Sequence, residues 1–372
     1  MSNLKNQDVI GILNRLAPKS YAFEGDKIGL HVGSLSEPVD KVMVTLDVLE
    51  SVVDEAIEQD IDLIIAHHPL IFKPLKSIDL STEKGRIIKK LINHNISVYV
   101  AHTNLDITSG GVNDMLMKQL NIETSDPLVY TDSEEIYKFA VYVPTTHEEF
   151  VRNAISEAGA GHIGNYSHCT FNSEGVGTFM PLEGTDPHIG STNKLEKVEE
   201  KRMETIVPKH LLDKVVRAAE KAHPYEEMAY DLFKLEIEGE KRGLGRKGKL
   251  SKPMPLDEFA NYVKKAFNVP NVRMVGAPEK TVHSVGVIGG DGNKFIQQVK
   301  NRGVDVLITG DVYYHTAHDA LGIDLAMIDP GHHIEHVMKN ELAAYLKKQV
   351  EERNMKVSVT ASEIVTEPFH FI

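Results

Sequence analysis

Four short apolar runs in this sequence stop abruptly at histidine, aspartate or glycine. Asp62 to Ala66 (DLIIA) runs into His67-His68-Pro69, and Ile96 to Ala101 (ISVYVA) into His102-Thr103-Asn104-Leu105-Asp106. Asp305 to Thr309 (DVLIT) meets Gly310-Asp311, and Leu325 to Ile328 (LAMI) meets Asp329-Pro330-Gly331-His332-His333. A run this short and this apolar has the form of a parallel strand covered on both faces. Between such strands lie segments with helical spacing: Val48 to Gln59, Lys84 to Asn93 and Asn293 to Asn301. The repeated β-α-β order predicts an α/β protein.

Val42 to Asp47 and Val285 to Gly289 read as the strands that open the two series. Setting Val42 against Val285 places Asp62 against Asp305 without a gap, and His67-His68 against Gly310-Asp311. This predicts a weak internal repeat, two related α/β lobes facing one another. Any two β-α-β units share an apolar pattern, but that alone does not explain the matched polar endings.

The middle of the chain has another character. Strands are expected at Lys138 to Val143, Asn165 to Phe171, Lys201 to Ile206 and Ala229 to Leu235, with helices at Glu148 to Ala158 and Lys209 to Ala222. The order β-α-β-β-α-β is that of a ferredoxin-like domain. The predicted organisation is a first lobe at 1–133, an inserted domain at 134–235 and a second lobe at 236–372.

A net charge of −13 argues against non-specific nucleic-acid or anionic-membrane binding. One cysteine, Cys169, excludes an intramolecular disulfide. With no apolar leader and no bilayer-length run, the expected location is the cytoplasm. The cluster Lys241, Arg242, Arg246, Lys247 and Lys249 reads as a solvated loop. Gly243 to Gly248 spells GxGxxG, but Lys249 to Pro255 reads as loop rather than helix, so it is no dinucleotide fingerprint.

Ligands of open α/β sheets bind beyond the carboxyl ends of the strands. Three such ends carry the side chains a divalent metal needs: His67-His68, His102 through Asp106, and His332-His333 through Glu335. A single histidine at a strand end is more often an ordinary hydrogen-bonded residue; three groups together point to a metal site. His332 and Glu335 stand at i and i+3, one turn apart, with His336 the i+4 alternative.

These motifs, with Thr309-Gly310-Asp311 and Asp26 through Gly33 (DKIGLHVG), resemble those of the NIF-three-like family, also called GTP cyclohydrolase I type 2 homologues. The resemblance runs along nearly the whole chain. It implies a dinuclear metal centre between two α/β lobes, a toroidal homohexamer, and a PII/CutA-like insert that gates the ring or senses a ligand. The implied ligands are His67, His68, Asp106, His332 and Glu335, with His102 and His318 as nearby catalytic or proton-transfer residues.

The implied cofactors are two divalent metal ions per subunit: zinc first, with iron, manganese or cobalt also fitting the donors. Two metals about 3.5–4 Å apart would share a bridging hydroxide. The expected function is a metal-dependent hydrolase, GTP cyclohydrolase-like or a phosphoesterase, acting on a small nucleotide-like or phosphorylated molecule. The alternative is a non-enzymatic regulatory ring whose insert, with its groups Gly161 to Cys169 and His223 to Glu227, senses a metabolite or binds a partner.

Overall fold

The apolar runs form strands that are buried on both faces. In a computed structural model describing residues 4–372, Leu63–Ala66, Ser97–Val100 and Ala326–Asp329 expose nothing along their length. Their side chains alternate between two cores. Val42, Val44, Leu63, Ile65 and Tyr99 share one cluster, while Met43, Ile64, Ala66, Val98 and Val100 fall in another. Period-two side-chain direction turns one unbroken apolar run into two packed faces.

Two compact units result: the described residues up to Thr131 with Arg242–Ile372, and Asp132–Lys241. The first unit holds a five-stranded sheet in the order Gly29–Val32, Ser97–Val100, Leu63–Ala66, Lys41–Thr45, Ser358–Ala361. All neighbours are parallel except the first pair. The same unit holds Thr281–Asp291, Val306–Gly310 and Ala326–Asp329 side by side and parallel. These are flanked by two antiparallel neighbours, residues 246–255 and Arg273–Val275. The helix Val337–Glu352 packs into the cluster shared by both sheets through Met338, Leu342, Leu346 and Val350, spaced four apart on one stripe.

The two halves repeat a local device. Asp62 Oδ2 accepts hydrogen bonds from the amides of Asp40 and Lys41, both at 2.8 Å. Asp305 Oδ2 accepts from His283 at 2.9 Å and Ser284 at 2.8 Å. The pairing register matches as well, with Val42 beside Leu63 and Val285 beside Val306. Chain reversals before each aspartate also correspond, at Asp60 (φ 53°) and Gly303 (φ 69°).

The second unit has the element order β-α-β-β-α-β. The helices Glu148–Glu157 and Leu212–Ala222 cover one face of strands within Thr124–Pro144 and Glu196–Pro208, burying Val151, Ile155, Val215 and Ala219 against Phe139, Val141 and Met203. Two expectations give way here and at the unit's boundary. The strand expected at Asn165 to Phe171 lies instead at Phe171–Phe179. Gly161, Gly164 and His168 all adopt positive φ, so 161–168 is a tight reversal, and the glycines at 175 and 177 hide the strand pattern. The expected solvated loop around Arg246 is part of the strand Tyr230–Pro255. Arg246 is buried and donates to the carbonyls of Gly243, Gly245, Ile107 and Thr108, and to Asp114 at 2.9 Å.

Among the described residues, no helix is long and apolar enough to cross a membrane.

Candidate metal centre

His67 directly follows one strand and His102 lies two residues past its parallel neighbour, where Ala66 pairs with Val100. His68 follows His67 directly. Asp106 sits on the short helix Thr103–Ile107 that His102 opens. From the second half, His332 and Glu335 lie on the 3₁₀ turn His332–His336. A 3₁₀ turn has three residues per turn, so side chains at i and i+3 eclipse. That geometry aims both His332 and Glu335 inward. His336 Nδ1 instead donates to the carbonyl of His333, at 2.7 Å.

The imidazoles share one orientation. Nδ1 of His67 lies 2.9 Å from the carbonyl oxygen of Ala101. Nδ1 of His68 lies 2.7 Å from Asp47, that of His102 2.8 Å from Asp26, and that of His332 2.7 Å from Asp311. Carbonyls and carboxylates accept, so each Nδ1 carries a proton. Each Nε2 is thereby left as the inward atom. Metal-binding histidines are oriented in this way.

Around the centre, His68 Nε2 stands 3.0 Å and His332 Nε2 3.2 Å from Glu335 Oε2. His67 Nε2 is 3.5 Å from Asp106 Oδ1 and 3.9 Å from Glu335 Oε1. Three overlapping groups could hold a metal ion: His67, His68 and His102; His68, His332 and Glu335; and His67, Asp106 and Glu335. Two buried atoms, His67 Nε2 and Asp106 Oδ1, have no hydrogen-bond partner. An unpartnered polar atom is costly inside a protein, and these two face each other across the centre. The donor set therefore fits a cation that would satisfy both.

The charges are strongly coupled to burial and to one another. Burial opposes the charge on His68, but hydrogen bonds with Asp47 and Glu335 outweigh it and raise its pKa to about 10. His332 is raised to about 9 against its burial, through Glu335 and Asp311. His67 is raised against complete burial by the charges of Asp106 and Glu335. At 3.9 Å, Glu335 acts on His67 through charge rather than a hydrogen bond. Burial would raise Glu335, yet the three histidines hold it well below the carboxylate range. Asp106 is the opposite case, with burial lifting it to about 6.

Glycines make room for this crowding. A Cβ on Gly289 would come within 2.7 Å of Glu335 Oε1. Gly290, at φ 61°, would place one 3.1 Å from His332 Nε2. Asn113 fastens the halves beside the centre, donating to the Asp106 carbonyl and accepting from the Gly289 amide, both at 2.9 Å.

His67, His68, His102, Asp106, His332 and Glu335 are thus brought together. His318 is not: it is exposed on the helix Tyr314–Gly322, its ring 4.7 Å from that of Tyr314. Asp47, Gly289 and Gly290 escaped the sequence reading. Asp47 lies two residues past the strand Lys41–Thr45, and only its contact with His68 marks it out.

The centre opens on a cavity of about 460 Å³. Phe23, Pro69, Phe72, Leu244 and Phe295 make its apolar wall, and Lys294 and Asp291 add charge. The Lys294 ammonium lies 4.8 Å from the Phe295 ring centroid and 5.5 Å from that of Phe23.

Fold and cluster together define a mixed α/β protein with two sheets and His, Asp and Glu groups able to hold a metal ion. The family model of Duf34/NIF3 (NGG1p interacting factor 3) matches residues 4–368, and the chain belongs to that family. It is 52% identical to a GTP cyclohydrolase 1 type 2 homolog of Halalkalibacterium halodurans, with all of both chains covered. It is 49% identical to the Bacillus subtilis protein of the same name, covering 100% of this chain and 99% of the other. A crystal structure of a Bacillus cereus protein related to NIF3 superposes with a TM-score of 0.95 at 48% identity over all of both chains. A Staphylococcus aureus structure does so at 0.79 and 31%, again over the whole of both.

Proposed function

We propose that the cluster holds two divalent metal ions, zinc first among them, and that the protein is a metal-dependent hydrolase of a small phosphorylated or nucleotide-like molecule. The observation that carries this reading is the facing pair of unpartnered atoms, His67 Nε2 and Asp106 Oδ1, at the focus of four outward-anchored imidazoles. Metals at such a site supply Lewis acidity and make water acidic near neutral pH. The ligands are His67, His68, Asp106, His332 and Glu335, drawn from both lobes, so the centre belongs to the cleft between the halves of the first unit. His102, anchored by Asp26, is left to take or give a proton at Nε2.

The cavity supports the substrate class. Its phenylalanines can hold a flat ring away from water, and Lys294 offers an ammonium to a negative group. The relatives' name fits such a molecule, since GTP is a purine phosphate. A homohexameric ring with a ferredoxin-like, PII/CutA-like insert is the assembly we infer, to be checked by light scattering. The alternative, a non-enzymatic regulatory ring, draws support from a separate cavity in the second unit.

The test is separate replacement of His68 and Asp106 by alanine, followed by elemental analysis of the purified proteins. Each should lose at least one metal equivalent and, with it, turnover of nucleotides or phosphoesters. Unchanged metal content in both variants would reject the site.

A further inference from the structure

The second unit contains a cavity of about 440 Å³ that none of the metal chemistry uses. Its size lies in the range of small-molecule sites. One wall is aromatic. The Phe179 and Tyr225 rings stand 5.6 Å apart, and the His188 ring is 6.3 Å from Tyr225. His223 fixes Tyr225 from behind. Its Nδ1 accepts from the Tyr225 amide at 3.1 Å, its Nε2 donates to the Tyr142 carbonyl at 2.9 Å, and the two rings lie 4.9 Å apart.

The charge in the lining has one sign. It includes Glu200, Glu226 and Glu227, but no lysine or arginine. Glu226 is committed to the loop, accepting from the amide of Asp186 at 2.9 Å. Glu200 is different. Its Oε1 accepts from the Tyr225 hydroxyl at 3.0 Å, and Oε2 lies over Gly177, where a Cβ would come within 2.0 Å of it. Among the described residues, Glu200 makes no ion pair. A half-buried carboxylate is thus held against an aromatic wall without an ion-pair partner of its own. A phosphate or carboxylate ligand would find no lysine or arginine in this lining, and the Arg202 guanidinium beside the Tyr142 hydroxyl is already paired with Glu204 at 2.9 Å. A cation would find both a carboxylate and ring faces, which attract positive charge.

We propose that this cavity binds a small organic cation with an apolar or aromatic body, Glu200 giving the counter-charge and Phe179 with Tyr225 the aromatic wall. The glycine at 177 is then part of the site, because it admits the carboxylate. The loop residues Thr185, Pro187, His188 and Ile189 line one side of it.

The probe is benzyltrimethylammonium, which has no lone pair and therefore cannot bind through a metal. It is titrated into the full-length protein by calorimetry and ligand-observed NMR, with 3-phenylpropionate as the anionic counterpart. The expected result is saturable binding of the cation at millimolar or tighter concentration, and none of the anion. Glu200→Gln should weaken binding roughly tenfold, about the scale of one desolvated cation–π or ion contact. Gly177→Ala, which must displace that carboxylate, should weaken it in the same direction. Circular dichroism identifies variants that keep the fold. Tyr225→Phe, which keeps the ring, should retain most of the affinity. No binding to the wild-type protein, equal binding of the anion, or undiminished binding in a folded Glu200→Gln variant would each overturn the proposal.

Discussion

At the scale of single residues, the centre is governed by what holds the histidines from behind. Asp47 and Asp311 each fix one imidazole at 2.7 Å. Replacing either by asparagine should weaken metal retention 10–100-fold without removing a ligand, read by competition with a coloured chelator. A second prediction concerns protons. In the metal-free protein His68 and His332 titrate near 10 and 9, so both are protonated at neutral pH. A metal must displace those protons, and affinity should rise with pH towards 9–10 and fall in acid, further still as Asp106 protonates near 6. Calorimetry at pH 7 in buffers of different ionisation enthalpy should show net proton release; a value of zero would contradict the assignment. Without metal the sign reverses. The raised histidines stabilise the fold fully below the ordinary value of 6.5, and that contribution is lost as pH climbs through 9–10. The strand ends that carry the histidine cluster were legible because an apolar run that halts at histidine is unusual. The anchoring carboxylates were harder to see. Asp47 acquires its meaning only from His68, on the next strand, and a lone aspartate after a strand is commonplace.

At the scale of elements, the sequence located the central strands well, since burial on both faces leaves a continuous apolar signature. It failed where local chemistry overrides that signature. The run around Arg246 is rich in lysine, arginine and glycine, and nothing local reveals that its guanidinium is consumed by four backbone carbonyls. Arg246→Met should therefore destabilise the first unit by about 3 kcal/mol, because Asp114 and those carbonyls lose their partner. The measurement is a denaturant midpoint, and a loss under about 0.5 kcal/mol, the range of ordinary surface changes, would mean the buried bonds count for little. The strand Phe171–Phe179 was missed for a related reason. Of its two glycines, Gly177 makes room for the carboxylate of Glu200, while Gly175 meets nothing, and neither favours a strand. By contrast, the matched Asp62 and Asp305 clamps were readable as an ungapped alignment, since each must sit where it can reach two amides of the neighbouring strand.

At the scale of the whole molecule, two compact units on one chain should unfold as two events. The proposed metal would bind only the folded first unit, so removing it should lower one calorimetric transition and leave the other in place. Equal movement of both would show that the units unfold together. The first unit has a further property of chain order. Its five-stranded sheet is completed at Lys41–Thr45 by Ser358–Ala361, and its candidate metal cluster by Glu335. During synthesis at about 10 residues per second, the edge at Lys41–Thr45 emerges roughly half a minute before the strand that pairs with it. For that interval the growing chain presents a bare, apolar strand edge to every other nascent polypeptide nearby, a hazard that the finished protein no longer displays.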